Sequence, residues 1–241
     1  MKKERFWEID ALRGLAITKM VIFNYSFALF YLGIYTFKEG MSFPGWAAAV
    51  FIFLVGLSLT ISYNRIKKKP KKEIYKKFFL RGLKIFGFGI LITIITFITF
   101  PEAFIIFGIL HFIGVSIIIG QFFLRFKKLN FFLGLLIIAL GFYLQNFRFD
   151  FSWLLWLGFA PNNFYTFDYF PILPWFGITL LGIFFGNWLY KNGKRQFKIK
   201  DLSNFSIVKL LTFLGRKSLI IYLVHQPLLI SVLLILGFKV F

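Results

Sequence analysis

A chain of 241 residues that is 59% hydrophobic and 22% aromatic, with only 16% charged residues, carries more apolar surface than a water-soluble fold of this size conceals. The formal charge of +20 comes from short Lys and Arg runs between apolar stretches, the pattern of loops beside an anionic membrane surface rather than of a nucleic-acid groove. With no cysteine, disulfides and thiolate chemistry are excluded, and the two histidines lack Asp or Glu at a helical metal-ligand spacing.

The first predicted element, 11–33, follows the basic start Met1-Lys-Lys-Glu-Arg. It is longer than a signal-peptide core and lacks a convincing small-x-small cleavage site, so it is expected to be a retained span. Six further apolar stretches follow at 45–63, 82–100, 104–124, 131–147, 171–190 and 218–238. Stretches of about 17 to 25 residues cross the hydrocarbon core as helices, because an open strand would leave backbone groups unpaired in lipid. The expectation is an all-α polytopic membrane helix bundle of about seven spans, one domain over residues 1–241, multi-pass in the cell (plasma) membrane. Between the fifth and sixth spans, 148–169 carries Trp153, Trp156, Tyr165 and Tyr169 around Pro161-Asn-Asn and reads as an interfacial helix or re-entrant loop. No repeat of 20 to 50 residues is visible, which weighs against a carrier built from duplicated halves.

Alternating the spans from an inner N-terminus puts all but four of the 29 Lys and Arg on the inner side. Lys38, Arg148 and Lys239 fall outside and Lys19 lies within the first span. That asymmetry predicts an N-in, C-out chain. The runs Lys67-Lys-Lys-Pro-Lys-Lys and 191–209 then face the cytoplasmic leaflet, where they anchor the protein or receive an anionic group.

A polar side chain in hydrocarbon is costly and calls for a reason. The candidates are Lys19 and Asn24 in the first span, His111 in the fourth, and Tyr222, His225 and Gln226 in the seventh, with Asp10 and Arg13 at the inner edge of the first. At a rise of about 1.5 Å per residue, Lys19 and His225 lie roughly 11 to 12 Å from the inner ends and Asn24 roughly 20 Å. His111 enters from the outer end and lies about 10 Å down. Two readings stand: a shared polar cavity, or hydrogen-bond glue between helices. Asp10 and Arg13, at i and i+3 in the first turns, suit helix capping and an ion pair. Lys19 is too deep to reach the interface and is expected to face a polar cavity or a partner.

Several short segments, in order, carry a resemblance. They are Glu8-Ile-Asp-Ala-Leu-Arg-Gly-Leu-Ala-Ile, Phe23-Asn-Tyr, Phe51-Ile-Phe-Leu-Val-Gly-Leu-Ser-Leu and Gly108-Ile-Leu-His-Phe-Ile-Gly-Val. Asp168-Tyr-Phe-Pro-Ile-Leu-Pro-Trp-Phe-Gly and Leu214-Gly-Arg-Lys-Ser-Leu-Ile-Ile-Tyr-Leu-Val-His-Gln-Pro complete the series. Together they resemble the heparan-α-glucosaminide N-acetyltransferase family and its small prokaryotic relatives. The resemblance implies a multispan enzyme that takes acetyl from cytoplasmic acetyl-CoA and delivers it to an amino sugar across the membrane. It matches Asn24 to the family's Asn-Tyr pair and His225 to a His of the final span. One departure stands out: the family's His in the first outer loop is missing from Phe37-Lys-Glu-Gly-Met-Ser-Phe-Pro-Gly-Trp. Glu39, His111 or His225 would have to act as the general base.

The functional expectation is an acyltransferase that moves an acetyl or short acyl group from acyl-CoA to an amine or hydroxyl of an envelope sugar or lipid. Asn24, His111 and His225 are expected at the chemistry. Arg13, Lys19 and Tyr222 are expected at the donor, and Tyr25, Glu39 and Asp168 at the acceptor. The expected partners are the lipid bilayer, the two small-molecule substrates and a second copy in a homodimer, with no nucleic acid and no metal. The alternative is a non-catalytic membrane protein, a translocation path or assembly partner that kept the fold and lost the loop His.

Overall fold

The computed structural model describes residues 5–31, 33, 45–235 and 237. Among them are eight α-helices: α1 (Trp7–Tyr31), α2 (Gly45–Asn64), α3 (Lys71–Thr99), α4 (Ile109–Phe123), α5 (Lys128–Leu144), α6 (Ile172–Leu189), α7 (Ser206–Arg216) and α8 (Ser218–Ile235). The described residues contain no named strand, and the chain is an all-helical membrane bundle. Three helices, α2, α3 and α6, are long and apolar enough to cross a membrane, whereas Ile109–Phe123, Lys128–Leu144 and Ser218–Leu233 are apolar but shorter. The large side chains left outside, such as Ile94, Ile98, Phe132, Phe142 and Trp188, are what lipid as the surrounding solvent requires.

The chain divides into two compact units, Met1–Phe51 with Ile199–Phe241, and Ile52–Lys198. In the first, α1 packs against α7 and α8. Asp10 and Gly14 of α1 lie opposite Gly215 and Leu211 of α7, so the two helices run antiparallel along that seam. A Cβ on Gly14 would strike the Leu211 carbonyl, and one on Gly215 the Asp10 carbonyl. A small residue on each side is how membrane helices bring their backbones into contact. Farther along α1, Tyr25, Ala28 and Leu29 pack on Leu229 and Leu233 of α8.

In the second unit α3 pairs with α4, α5 with α6, and α4 also meets α6. Gly134 and Gly177 let α5 and α6 approach through their backbones, each facing the other's carbonyl oxygen. Asn130, buried at the start of α5, donates its amide to the Phe123 carbonyl at 2.9 Å and to the Phe126 carbonyl, and so ties the turn from α4 into α5.

Two elements depart from the sequence reading. α3 begins at Lys71, not near 82, because Lys and Glu are good helix formers after Pro70 and because Ile74, Phe78 and Gly82, four residues apart, extend its buried face. α4 begins at Ile109, not 104. Its preceding segment pairs instead with the loop before α6: the Phe167 amide donates to the Ala103 carbonyl at 3.1 Å and the Phe170 amide to the Phe107 carbonyl at 2.9 Å. Of the two forms expected for 148–169, a helix or a loop, the segment takes the loop. It is irregular apart from a short 3-10 turn, Leu155–Leu157, and is held by the Tyr169 hydroxyl donating to the Leu155 carbonyl at 2.7 Å. In addition, α7 occupies a stretch that the sequence reading leaves as loop.

Candidate functional site

Each unit holds a buried histidine, and the two are bonded in opposite ways. In the first unit, His225 Nδ1 lies 2.6 Å from the Tyr222 carbonyl. A carbonyl only accepts, so Nδ1 carries the proton and Nε2 of the neutral ring is an acceptor. The Asn24 side-chain nitrogen stands 3.1 Å from Nε2 and donates to it. This bond orients the amide, leaving its second N–H and its carbonyl oxygen for another partner. Tyr25 seals the joint by donating its hydroxyl to the His225 carbonyl at 3.0 Å, its ring centroid 6.3 Å from that of His225. The Tyr222 ring lies at 5.5 Å. The sequence explains the geometry: Asn24 and Tyr25 are adjacent on α1, and Pro227 removes one backbone amide from α8 within a turn of His225.

At the Trp7 end of α1, Asp10 accepts from two guanidinium groups, Arg13 at 3.1 Å and Arg216 at 3.2 Å. The expected Asp10–Arg13 pair is therefore present, and Arg216 joins α7 to it. Lys19 is exposed, with its ammonium 5.8 Å from the centroid of the Trp46 ring, a cation–π geometry. Glu39 lies outside the described residues.

In the second unit His111 is held by both nitrogens. The Gly108 amide donates to Nδ1 at 3.2 Å, so the proton sits on Nε2, which donates to Thr93 Oγ1 at 3.3 Å. Thr93 in turn donates to the Ile105 carbonyl at 2.6 Å. The ring packs edge-on against Phe86 and flat against Phe107, and Gly89 abuts it where a Cβ would come within 2.9 Å. His111 is 2% exposed, with no lone pair left open. It pins α3 to the start of α4.

Asp168 acts at the same helix end. Its Oδ2 accepts from the Ile109 amide at 2.9 Å, placing an anion at the N-terminus of α4, where the unpaired amides favour it. Burial pushes the nearby Tyr169 hydroxyl up to about 12, while Arg148 pulls the other way. A cavity of about 240 Å³ in this unit is lined by Ile106, Phe107, Ser152, Leu155 and Trp156, of which the sequence points only to Trp156, as an interfacial aromatic.

Thus Asn24, Tyr25, Tyr222 and His225 form one cluster, Arg13 belongs to the Asp10 ion pair, and His111 and Asp168 serve the start of α4. Sequence reasoning misses Thr93 and Arg216. Thr93 is an ordinary residue of an apolar span, and Arg216 looks like one more basic loop charge. A family profile described as heparan-alpha-glucosaminide N-acetyltransferase, catalytic, matches residues 5–227. No curated protein and no solved structure matches the chain.

Proposed function

This chain belongs to the heparan-alpha-glucosaminide N-acetyltransferase catalytic family, and from that premise we propose that it is a membrane acyltransferase. Its donor is acetyl-CoA or a short acyl-CoA taken from the cytoplasmic face, and its acceptor is an amine or hydroxyl of an envelope sugar or lipid. The observation that carries this reading is the Asn24–His225 bond, an oriented amide donor beside a neutral imidazole within an apolar helix pair.

Acyl transfer needs a donor hydrogen bond to the acyl oxygen and a base for the acceptor's proton. Asn24 supplies the first through its side-chain N–H. The bond to His225 holds the second N–H of Asn24 on the acyl oxygen, and when the acceptor's N–H or O–H takes the place of the first, His225 Nε2 takes that proton as the acceptor's nitrogen or oxygen bonds to the acyl carbon. The carbon–sulfur bond breaks, and His225 returns the proton to the departing sulfur. His225 thus replaces the missing loop His, while His111, with both nitrogens committed, stays structural. The test is acetyl-CoA binding to the purified full chain in detergent. Wild type binds and Asn24→Ala does not; no binding by wild type at millimolar acetyl-CoA would overturn the reading.

The second reading, a non-catalytic member of the fold, is favoured by one observation: His111 lies in a packed seam. Wild type that binds acetyl-CoA but never transfers its acetyl group to any amine or hydroxyl acceptor would select it.

A further inference from the structure

The stretch 191–217, which the charge count places in an inner loop, contains α7, and α7 has the surface of a membrane-contacting helix. Ile207, Leu210 and Phe213 recur every three residues and are 68%, 56% and 57% exposed. Residues three apart lie on one side of a helix, so these form a continuous apolar stripe. The opposite side does the packing: Thr212 and Gly215 are buried, and Leu211 and Gly215 touch α1 at Gly14 and Asp10. Lys209 and Arg216 fall together on the helical wheel along one edge of the stripe, next to Phe213, and Lys217 follows directly; all three are exposed.

Eleven residues make a helix of about 16 Å, too short for a hydrocarbon core of about 30 Å. The contact with Asp10 and Gly14 sets its depth at the inner end of α1, where headgroups meet acyl chains.

We infer that α7 is an interfacial anchor occupied by the anionic cytoplasmic leaflet. Ile207, Leu210 and Phe213 lie among acyl chains while Lys209, Arg216 and Lys217 engage negatively charged headgroups. Charge complementarity selects this occupant: a large apolar stripe edged by cations is the surface that an anionic lipid leaflet matches. The Asp10–Arg216 bridge, at 3.2 Å, links the anchor to α1.

The chain contains no cysteine, so Leu210→Cys, Phe213→Cys and Lys209→Cys each give one labelling site in the full chain. Nitroxide labels are read in nanodiscs of phosphatidylcholine with phosphatidylglycerol, using collision with dissolved oxygen and with a water-soluble nickel chelate. Labels at 210 and 213 are expected to favour oxygen several-fold more than the label at 209. The double variant Lys209→Gln, Lys217→Gln is expected to retain less phosphatidylglycerol in native mass spectrometry, by about fivefold for each cation removed. Equal nickel access at 210 and 209 would put the stripe in water, and disulfide-linked dimers of Leu210→Cys would put a second copy on it; either overturns the inference. Unchanged lipid retention in the double variant overturns the headgroup half. Should a label at 210 prevent folding, Ile207→Cys carries the same reading.

Discussion

Asn24 and His225 stand 201 residues apart in the chain and meet at 3.1 Å, with the imidazole acting as the acceptor. Side-chain bonds across membrane helices contribute about 0.6 kcal/mol on average and up to about 1.7 kcal/mol. His225→Ala should therefore lower the stability of the solubilised protein by about 1 kcal/mol and, by freeing the Asn24 amide to rotate, weaken acetyl-CoA binding. His225→Gln, which restores an acceptor, should recover binding but not transfer. Equal binding by wild type and His225→Ala in a titration would show that Asn24 needs no such orientation.

His111 predicts the opposite pattern. His111→Ala removes a fully enclosed ring and leaves the Gly108 amide without its partner, a loss of about 2 to 4 kcal/mol. Thermal unfolding in detergent should show it, and variants that remain folded should keep their acyl-transfer rate. Normal unfolding with abolished transfer would move His111 into the chemistry.

Gly14→Leu should separate α7 from α1, because the added side chain meets the Leu211 carbonyl, which belongs to backbone and cannot swing aside. Overpacking of this kind costs about 1 to 3 kcal/mol. Limited trypsin digestion should then cut at Lys209, which the wild-type helix protects. An unchanged digestion pattern would show that the seam tolerates a Cβ.

Tyr169 supplies a pH prediction. Its acidity in the folded state is weakened from the ordinary 10.0 to about 12, chiefly by burial. Folded protein therefore holds this proton where unfolded chain has lost it, so the contribution is complete below pH 10 and disappears as pH rises through about 12. Difference absorbance at 295 nm between wild type and Tyr169→Phe should show one phenol titrating in that upper range. A phenol titrating near 10 would mean that the bond to Leu155 is not maintained.

Much of the architecture is legible in the residues. Apolar runs must be helical in lipid, and every one of the seven stretches corresponds to a helix, since backbone groups have no other way to pair there. Boundaries are less legible where a partner segment competes. Residues 103–107 are as apolar as a helix end, yet the loop before α6 takes their carbonyls. α7 escapes the reading because its basic residues mark it as loop while its apolar residues are too few to register as a span.

The residues by themselves determine that this protein is a bundle of apolar helices suited to lipid, and that Asn24, His111 and His225 need a reason to be where they are. Two equally expensive histidines look alike in a sequence, because the cost of burial does not say what compensates it. Only tertiary structure decides that His225 accepts from Asn24 of a distant helix while His111 is spent on Gly108 and Thr93. Which ring nitrogen holds the proton follows from the neighbour that folding brings to it.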